Sequence, residues 1–374
     1  MKYLDEFRDP QLARQLLAEI RSLVTQRWVL MDVCGGQTHS LLRHGIEEAL
    51  SDKLELIHGP GCPVCVTSVA AIDWTQQLAV RPEVIVTSFG DMLRVPGSRQ
   101  SLLETRAKGG MVRVVYSPLE AVALAKAEPE REIIFLAVGF ETTAPATALA
   151  ILQAQQQALT NFSMIVAHVR VLPAMRALME SPAHQVQGFL GAGHVCAVTG
   201  YEDYGAFVDE FQVPVVITGF EPIDLLLGIR ELVQRLESGQ PALVNAYGRS
   251  VRPAGNQQAK ALIDKVYRVV DSPWRGLGLI PQGGFALQPD YRAWDASLRF
   301  PQELLPAADD SARCLSEAVL SGRIKPVECP EFGVRCHPER PLGAPMVSSE
   351  GACAAYYRYR PAAEPGLPII PQGA

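Results

Sequence analysis

The 374-residue chain reads as an α/β protein, with two Rossmann-like lobes of parallel sheet followed by an irregular, cysteine-rich C-terminal region. Three observations predict this. Short apolar runs recur at 29–33, 54–57, 84–88, 112–116, 133–138, 163–167, 188–190 and 213–218. Most lack in–out alternation, as strands buried on both faces do. Helical stretches such as 119–127 and 144–158 lie between them and supply the crossovers that parallel strands need. Past residue 240 the pattern changes, with Gly, Pro and Trp more frequent and four cysteines present. The chain therefore divides into 1–125, 126–240 and 241–374. The breaks fall at the charged, proline-containing stretch 126–131 and at Ser238-Gly239-Gln240-Pro241.

Taken in order, Asp9 and Pro10 read as the N-cap and first position of a helix, with Leu12, Leu16, Leu17, Ile20, Leu23 and Val24 on one face. The first strand runs into Cys34-Gly35-Gly36-Gln37-Thr38-His39, followed by a helical segment to residue 50. The second runs into His58-Gly59-Pro60-Gly61-Cys62-Pro63-Val64-Cys65. Residues 66–79 then carry Val69, Ile72, Trp74 and Leu78 at helical spacing. The cysteine pair is thus expected at a helix N-terminus, where the dipole favours a thiolate. Later strands lead into Ser88-Phe89-Gly90-Asp91, Gly139-Phe140-Glu141-Thr142-Thr143, Gly191-Ala192-Gly193-His194 and Gly219-Phe220-Glu221-Pro222. All these loops sit at carboxyl ends of strands, where open α/β sheets bind ligands. The repeated Gly-Phe-Glu suggests that both copies face one cleft. Within 251–306 regular structure is expected to be sparse, with one helix at 257–269, and 361–374 reads as a mobile tail.

Lys+Arg 34 against Asp+Glu 40 gives a net charge of −6 without long runs, so there is no electrostatic footprint for nucleic acid. The first residues lack an apolar signal core, and no run reaches the roughly 18 apolar residues that span a bilayer. A cytoplasmic protein without membrane contact is expected. Eight cysteines in a reducing compartment point to metal or redox chemistry rather than a disulfide framework. The role of a buried small hydrophobe suits Cys196 best, and a solitary cysteine such as Cys34 could also fill it.

The pair Cys62-x-x-Cys65 reads as a dithiol that shuttles two electrons; the same spacing makes half a zinc site, but no second pair lies nearby to complete one. Cys34 is followed by two glycines, so its sulfur can be approached closely. His39 could act as acid, base or thiolate-stabilising cation, or serve as a hydrogen-bonded structural group. With no acidic orienter visible, a hydrolytic Cys–His dyad is not inferred. Glu141 and His194 would line the cleft or cap the turns they occupy. Cys314, Cys329, Cys336 and Cys353, spaced C-x14-C-x6-C-x16-C, could close a zinc site or hold an iron–sulfur cluster. The spacing lacks the close pairs of common zinc knuckles, yet does not by itself separate the two metals.

Cys34-Gly35-Gly36-Gln37-Thr38-His39, Gly59-Pro60-Gly61-Cys62-Pro63-Val64-Cys65, Gly139-Phe140-Glu141-Thr142-Thr143 and Ser348-Ser349-Glu350-Gly351-Ala352-Cys353 together resemble the HypD family of hydrogenase maturation factors. The resemblance runs from the N-terminus to about residue 359. It implies a monomeric cytosolic scaffold on which the Fe(CN)2CO unit of [NiFe]-hydrogenase is assembled. The implied partners are a HypC-type small chaperone, which contributes a second thiolate, and a HypE-type cyanide donor. Carried over by motif, Cys34 would hold the iron and Cys62 and Cys65 would be a redox pair. Cys314, Cys329, Cys336 and Cys353 would bind a [4Fe-4S] cluster; His39, Glu141 and His194 join Cys34, Cys62 and Cys65 as catalytic candidates on their loop positions alone. Some members carry a further cysteine where this chain has Ile324; four ligands remain without it. Two other readings of the same residues are a free-standing thiol-disulfide oxidoreductase, which leaves Cys34 unexplained, and an iron–sulfur dehydratase or synthase, which needs only three cluster ligands.

Overall fold

A computed structural model describes residues 5–302 and 314–359; the tail expected at 361–374 lies outside them. Its strands are β1 (Trp28–Asp32), β2 (Leu54–His58), β3 (Val84–Ser88), β4 (Val112–Val114), β5 (Glu132–Gly139), β6 (Phe162–His168), β7 (Gly188–Ala192), β8 (Val215–Thr218), β9 (Leu243–Asn245), β10 (Tyr267–Trp274) and β11 (Gly278–Leu287). The first nine form two sheets, ordered β2-β1-β7-β8-β9 and β4-β3-β5-β6. Every neighbouring pair in both is parallel. Two Rossmann-like α/β lobes result. β5 shows why the apolar runs do not alternate, since every residue from Ile133 to Gly139 is buried between helices on both faces.

Local signals explain the helices. Helix Pro10–Leu23 starts where the Asp9 carboxylate accepts the Gln11 and Leu12 N–H groups, and it buries Ala13, Leu16 and Ile20. It packs beside helix Pro222–Ser238, and together they cover one core, which includes Leu30, Leu56, Leu190 and Val216 of the first sheet.

Sheet membership does not follow the division at residues 125 and 126. β5 and β6 join β3 and β4 in the second sheet, and β7 to β9 return to the first. The charged stretch at 126–131 is the surface turn between helix Pro118–Ala127 and β5, one of many crossovers rather than a linker. A second difference lies in the region expected to be sparse. Helix Gln257–Val266 ends three residues earlier than the 257–269 reading, and β10 and β11 form an antiparallel hairpin. A bulge between Val270 and Ser272, beside Asp271 and Pro273, breaks the alternation that would otherwise mark β10.

The C-terminal region is irregular as expected, with helix Ser316–Leu320, 3-10 turns at Pro326–Glu328 and Ala344–Met346, and helix Ala352–Tyr359. The last helix lies on helix Gly35–Arg43, burying Leu42 against Ala355 and Tyr356. No helix among the described residues is long and apolar enough to cross a membrane.

Candidate functional site

β1 and β2 run in register, with Asp32 opposite His58, so the loops that follow them start side by side. Cys34 is buried and caps helix Gly35–Arg43. The Gly35 N–H donates to Gly61 O at 2.9 Å, and the Gly59 N–H donates to Asp32 O at 2.8 Å. A Cβ on Gly61 would stand 2.3 Å from Cys34 N, so only glycine permits this approach. Cys62 and Cys65, joined as a disulfide with Cα atoms 5.2 Å apart, open helix Pro63–Val66 and are both buried. The helix N-terminus expected for the pair is there, although it belongs to one short turn that precedes helix Val69–Ala79.

His194, at the start of helix Gly193–Thr199 after β7, places Nδ1 3.5 Å from Cys34 Sγ. Its ring lies 5.3 Å from that of Phe220, which also closes over Gly36. Burial pushes the Cys34 thiol up to about 12 and the His194 imidazole down to about 4. Both are therefore neutral at rest, a thiol facing an imidazole. His39 points elsewhere on its helix: Nδ1 lies 3.4 Å from Ser349 O, and Nε2 lies 3.0 Å from Tyr359 Oη. Burial also lowers the His39 pKa.

The two Gly-Phe-Glu loops share a core but not a cleft. Phe140 and Phe220 both pack with the apolar cluster that contains Cys34. Glu221, in contrast, pairs with Arg8 at the surface, while Glu141 is buried and accepts the Val171 N–H at 3.1 Å. Burial pushes the Glu141 carboxyl up to about 7. It lines a cavity of about 180 Å³ with Arg170, Tyr204, Lys260 and Phe285. Cys196 is fully buried, as its sequence setting suggests.

Cys314, Cys329, Cys336 and Cys353 line one apolar cavity, walled by Val319, Phe332, Leu342 and Met346. The Leu342 N–H donates to Cys336 Sγ at 3.4 Å. Gly343 lets the chain close on Cys314, since a Cβ there would lie 2.2 Å from its sulfur. Burial raises the Cys336 and Cys353 thiols, and the neighbouring thiols raise them further. Among the described residues no three His, Cys, Asp or Glu side chains stand within reach of a single ion.

The three cysteine groups meet at common walls. The turn Ala344–Met346 packs on helix Pro63–Val66, and Pro345 and Met346 also line the four-thiol cavity. Glu350 O presses on Gly35, where a Cβ would be 2.3 Å away. Beneath Cys34 lies a buried polar chain that sequence reasoning missed. Thr38 Oγ1 donates to Asp32 Oδ1 at 2.6 Å, and the other Asp32 oxygen binds His58 Nδ1. His58 Nε2 lies 3.3 Å from Glu47 Oε2, and Glu47 Oε1 accepts from Lys325 Nζ at 2.9 Å and from Tyr356 Oη at 2.8 Å. Burial opposes the His58 charge, but the Asp32 and Glu47 carboxylates outweigh it and hold the imidazole up at about 9. The only sequence signal was an acid and a histidine ending adjacent apolar strands; Lys325 and Tyr356 carried none.

The HypD family model, described as the "Hydrogenase formation hypA family", matches residues 11–360. Proteins named hydrogenase maturation factor HypD from Rhodobacter capsulatus and from Escherichia coli (strain K12) are similar along their length. They are 45% and 43% identical over 370 and 371 residues, covering 96% of this chain and 98% of each relative. The protein of that name from Azotobacter vinelandii is 45% identical over 368 residues, covering 96% of this chain and 97% of its own.

Proposed function

The chain belongs to the HypD family of hydrogenase maturation factors, and from that premise we propose that it is the scaffold on which iron acquires its cyanide and carbonyl ligands before delivery to a [NiFe]-hydrogenase. The observation that carries this is the meeting of three thiol groups, Cys34, Cys62 with Cys65, and the C-terminal four, at shared walls. A metal-assembly scaffold needs a cargo ligand and electron-transfer groups in contact, whereas an ordinary hydrolase does not.

In this reading Cys34 is the cargo ligand. A thiolate is a soft donor suited to ferrous iron that carries π-acceptor ligands, and iron binding must displace the thiol proton. His194 Nδ1, 3.5 Å from the sulfur, is positioned to receive it. A HypC-type chaperone would add the second thiolate, and a HypE-type protein would deliver cyanide. Cys62 and Cys65 cycle between disulfide and dithiol, taking up or releasing two electrons and two protons. Their exposures of 2% and 1% argue against general exchange with protein disulfides, so the pair serves the cargo. Cys314, Cys329, Cys336 and Cys353 would hold a [4Fe-4S] cluster. Their donor set fits: four sulfurs line an apolar cavity, and an N–H donates to one of them. When bound, the cluster supplies a one-electron store beside the dithiol.

Anaerobic purification tests this directly. Wild type should be brown with equal iron and acid-labile sulfide, and Cys353→Ala should lose both. The double variant Cys62→Ala, Cys65→Ala should keep the colour but fail to assemble the iron–cyanide unit. A colourless, zinc-containing wild type would defeat the reading, since zinc is d¹⁰ and does not absorb visible light.

A further inference from the structure

Glu47, in helix Ile46–Leu50, is 1% exposed and stands at a junction. Its Oε1 accepts from Lys325 Nζ at 2.9 Å and from Tyr356 Oη at 2.8 Å, while its Oε2 lies 3.3 Å from His58 Nε2. His58 ends β2, just before the Cys62–Cys65 loop, and its Nδ1 pairs with Asp32 at the end of β1, just before Cys34. Lys325 and Tyr356 belong to the C-terminal region, the first ahead of Cys329 and the second after Cys353. Lys325 also lies 2.7 Å from Glu55 Oε1 on β2. One buried carboxylate thus ties the strands that deliver Cys34 and Cys62 to two separate stretches of the C-terminal region.

That region roofs both loops. Glu350 O lies against Gly35, the residue after Cys34, and the turn Ala344–Met346 packs on helix Pro63–Val66. Beneath this roof Cys34 is 3% exposed. A thiol so covered takes up iron, and lets a second protein's thiolate reach that iron, only when part of its cover moves. The lobes are held by large continuous cores. Among the described residues, the C-terminal region gives those cores only Leu320, Ala344 and Val347, and it otherwise rests on small clusters around Leu42 and Cys336. A segment with little buried apolar area opens at the lowest cost. Its closure then depends on directional polar contacts, and the Glu47 junction supplies buried ones.

We propose that Glu47 is the positioning residue that latches the C-terminal region over Cys34, and that release of Lys325 and Tyr356 from it opens the path to that sulfur for the iron cargo and a partner thiolate. The purpose of the latch rests on the reading of Cys34 as cargo ligand; its existence does not. Opening exchanges internal hydrogen bonds for bonds to water and moves no electron. Glu47 acts through the segments that it joins.

The test is the rate at which iodoacetamide labels Cys34, read by mass spectrometry on full-length protein purified anaerobically without partners. Cys196, fully buried in a lobe core, serves as internal control. Wild type is compared with Glu47→Ala and with the double variant Lys325→Met, Tyr356→Phe, which leaves Glu47 in place and removes its two C-terminal contacts. The expected result is labelling of Cys34 faster by about tenfold or more in both variants, at an unchanged rate for Cys196. Local opening separates the two cysteines in this way, whereas a general loss of stability speeds both together. Should Glu47→Ala speed both, the double variant decides. A Cys34 rate that stays at the wild-type value, or parallel acceleration of Cys34 and Cys196 in both variants, would overturn the proposal. If iron–cyanide bands persist without Cys34, the cargo reading fails while the labelling rates still judge the latch, so the two failures are distinguishable.

Discussion

A methyl group at position 61 would meet Cys34 N at 2.3 Å and Cys34 Cα at 2.4 Å, so Gly61→Ala must push the Cys62–Cys65 loop off the loop that carries Cys34. A loss of roughly 1–3 kcal/mol is expected from such overpacking, read as a lower urea midpoint. Gly205→Ala, in helix Tyr204–Phe211 with nothing within 4 Å of the added carbon, should be neutral or slightly stabilising. His58 makes a pH prediction. Its folded-state pKa of about 9 is above its ordinary 6.5, so its contribution is complete below pH 6.5 and is lost as pH rises to about 9. Glu141 acts in the same sense: raised from 4.5 to about 7, it makes the native state lose stability across that interval. The unfolding midpoint should therefore fall from pH 6.5 to 9, by an amount on the order of 2–3 kcal/mol for His58, and His58→Gln should flatten the upper part of the profile. A wild-type midpoint that stays constant above pH 6.5 would refute this account of the buried chain. Cys34, Cys62 and Cys65 were legible in sequence because they stand among glycines and prolines just after apolar strands. Asp32 and His58 were not, because they become partners only through the β1–β2 register.

Among the elements, the β10–β11 hairpin was the least visible and has the widest consequences. Tyr267 and Val269 continue a helical pattern by composition, and the bulge before Ser272 hides the period of two. Only pairing with β11 and the bridge from Val169 to Gly284 fix the segment as strand. Trp274 anchors its tip, being 2% exposed with its ring 5.9 Å from that of Phe140 and its Nε1 donating to Gly283 O at 3.0 Å. Trp274→Ala should cost about 3–5 kcal/mol, the range for truncating a buried aromatic. It should also speed hydrogen exchange at the Arg275 amide, which the tip holds on Val66 O. Unchanged exchange there would mean that the hairpin does not position that link. β5, buried along nearly its whole length, could be read from sequence alone because its environment is the same on both faces.

At the scale of the whole molecule, the chain builds part of the first sheet, completes the second, and then returns. That path was hidden because each strand–loop–helix unit looks alike locally, and only long-range pairing decides which sheet a strand joins. Its functional result is that loops from β1, β2 and β7 converge on Cys34 while the C-terminal region closes over them through Glu350, Lys325 and Tyr356. The measurement that tests the central claim most directly is infrared spectroscopy of the protein purified anaerobically with its proposed HypC-type chaperone. Wild type should show cyanide and carbonyl stretching bands, and Cys34→Ala should lose them while keeping its cluster iron and sulfide. Bands that persist at full intensity in Cys34→Ala would contradict the assignment of Cys34 as the iron ligand and, with it, the scaffold mechanism.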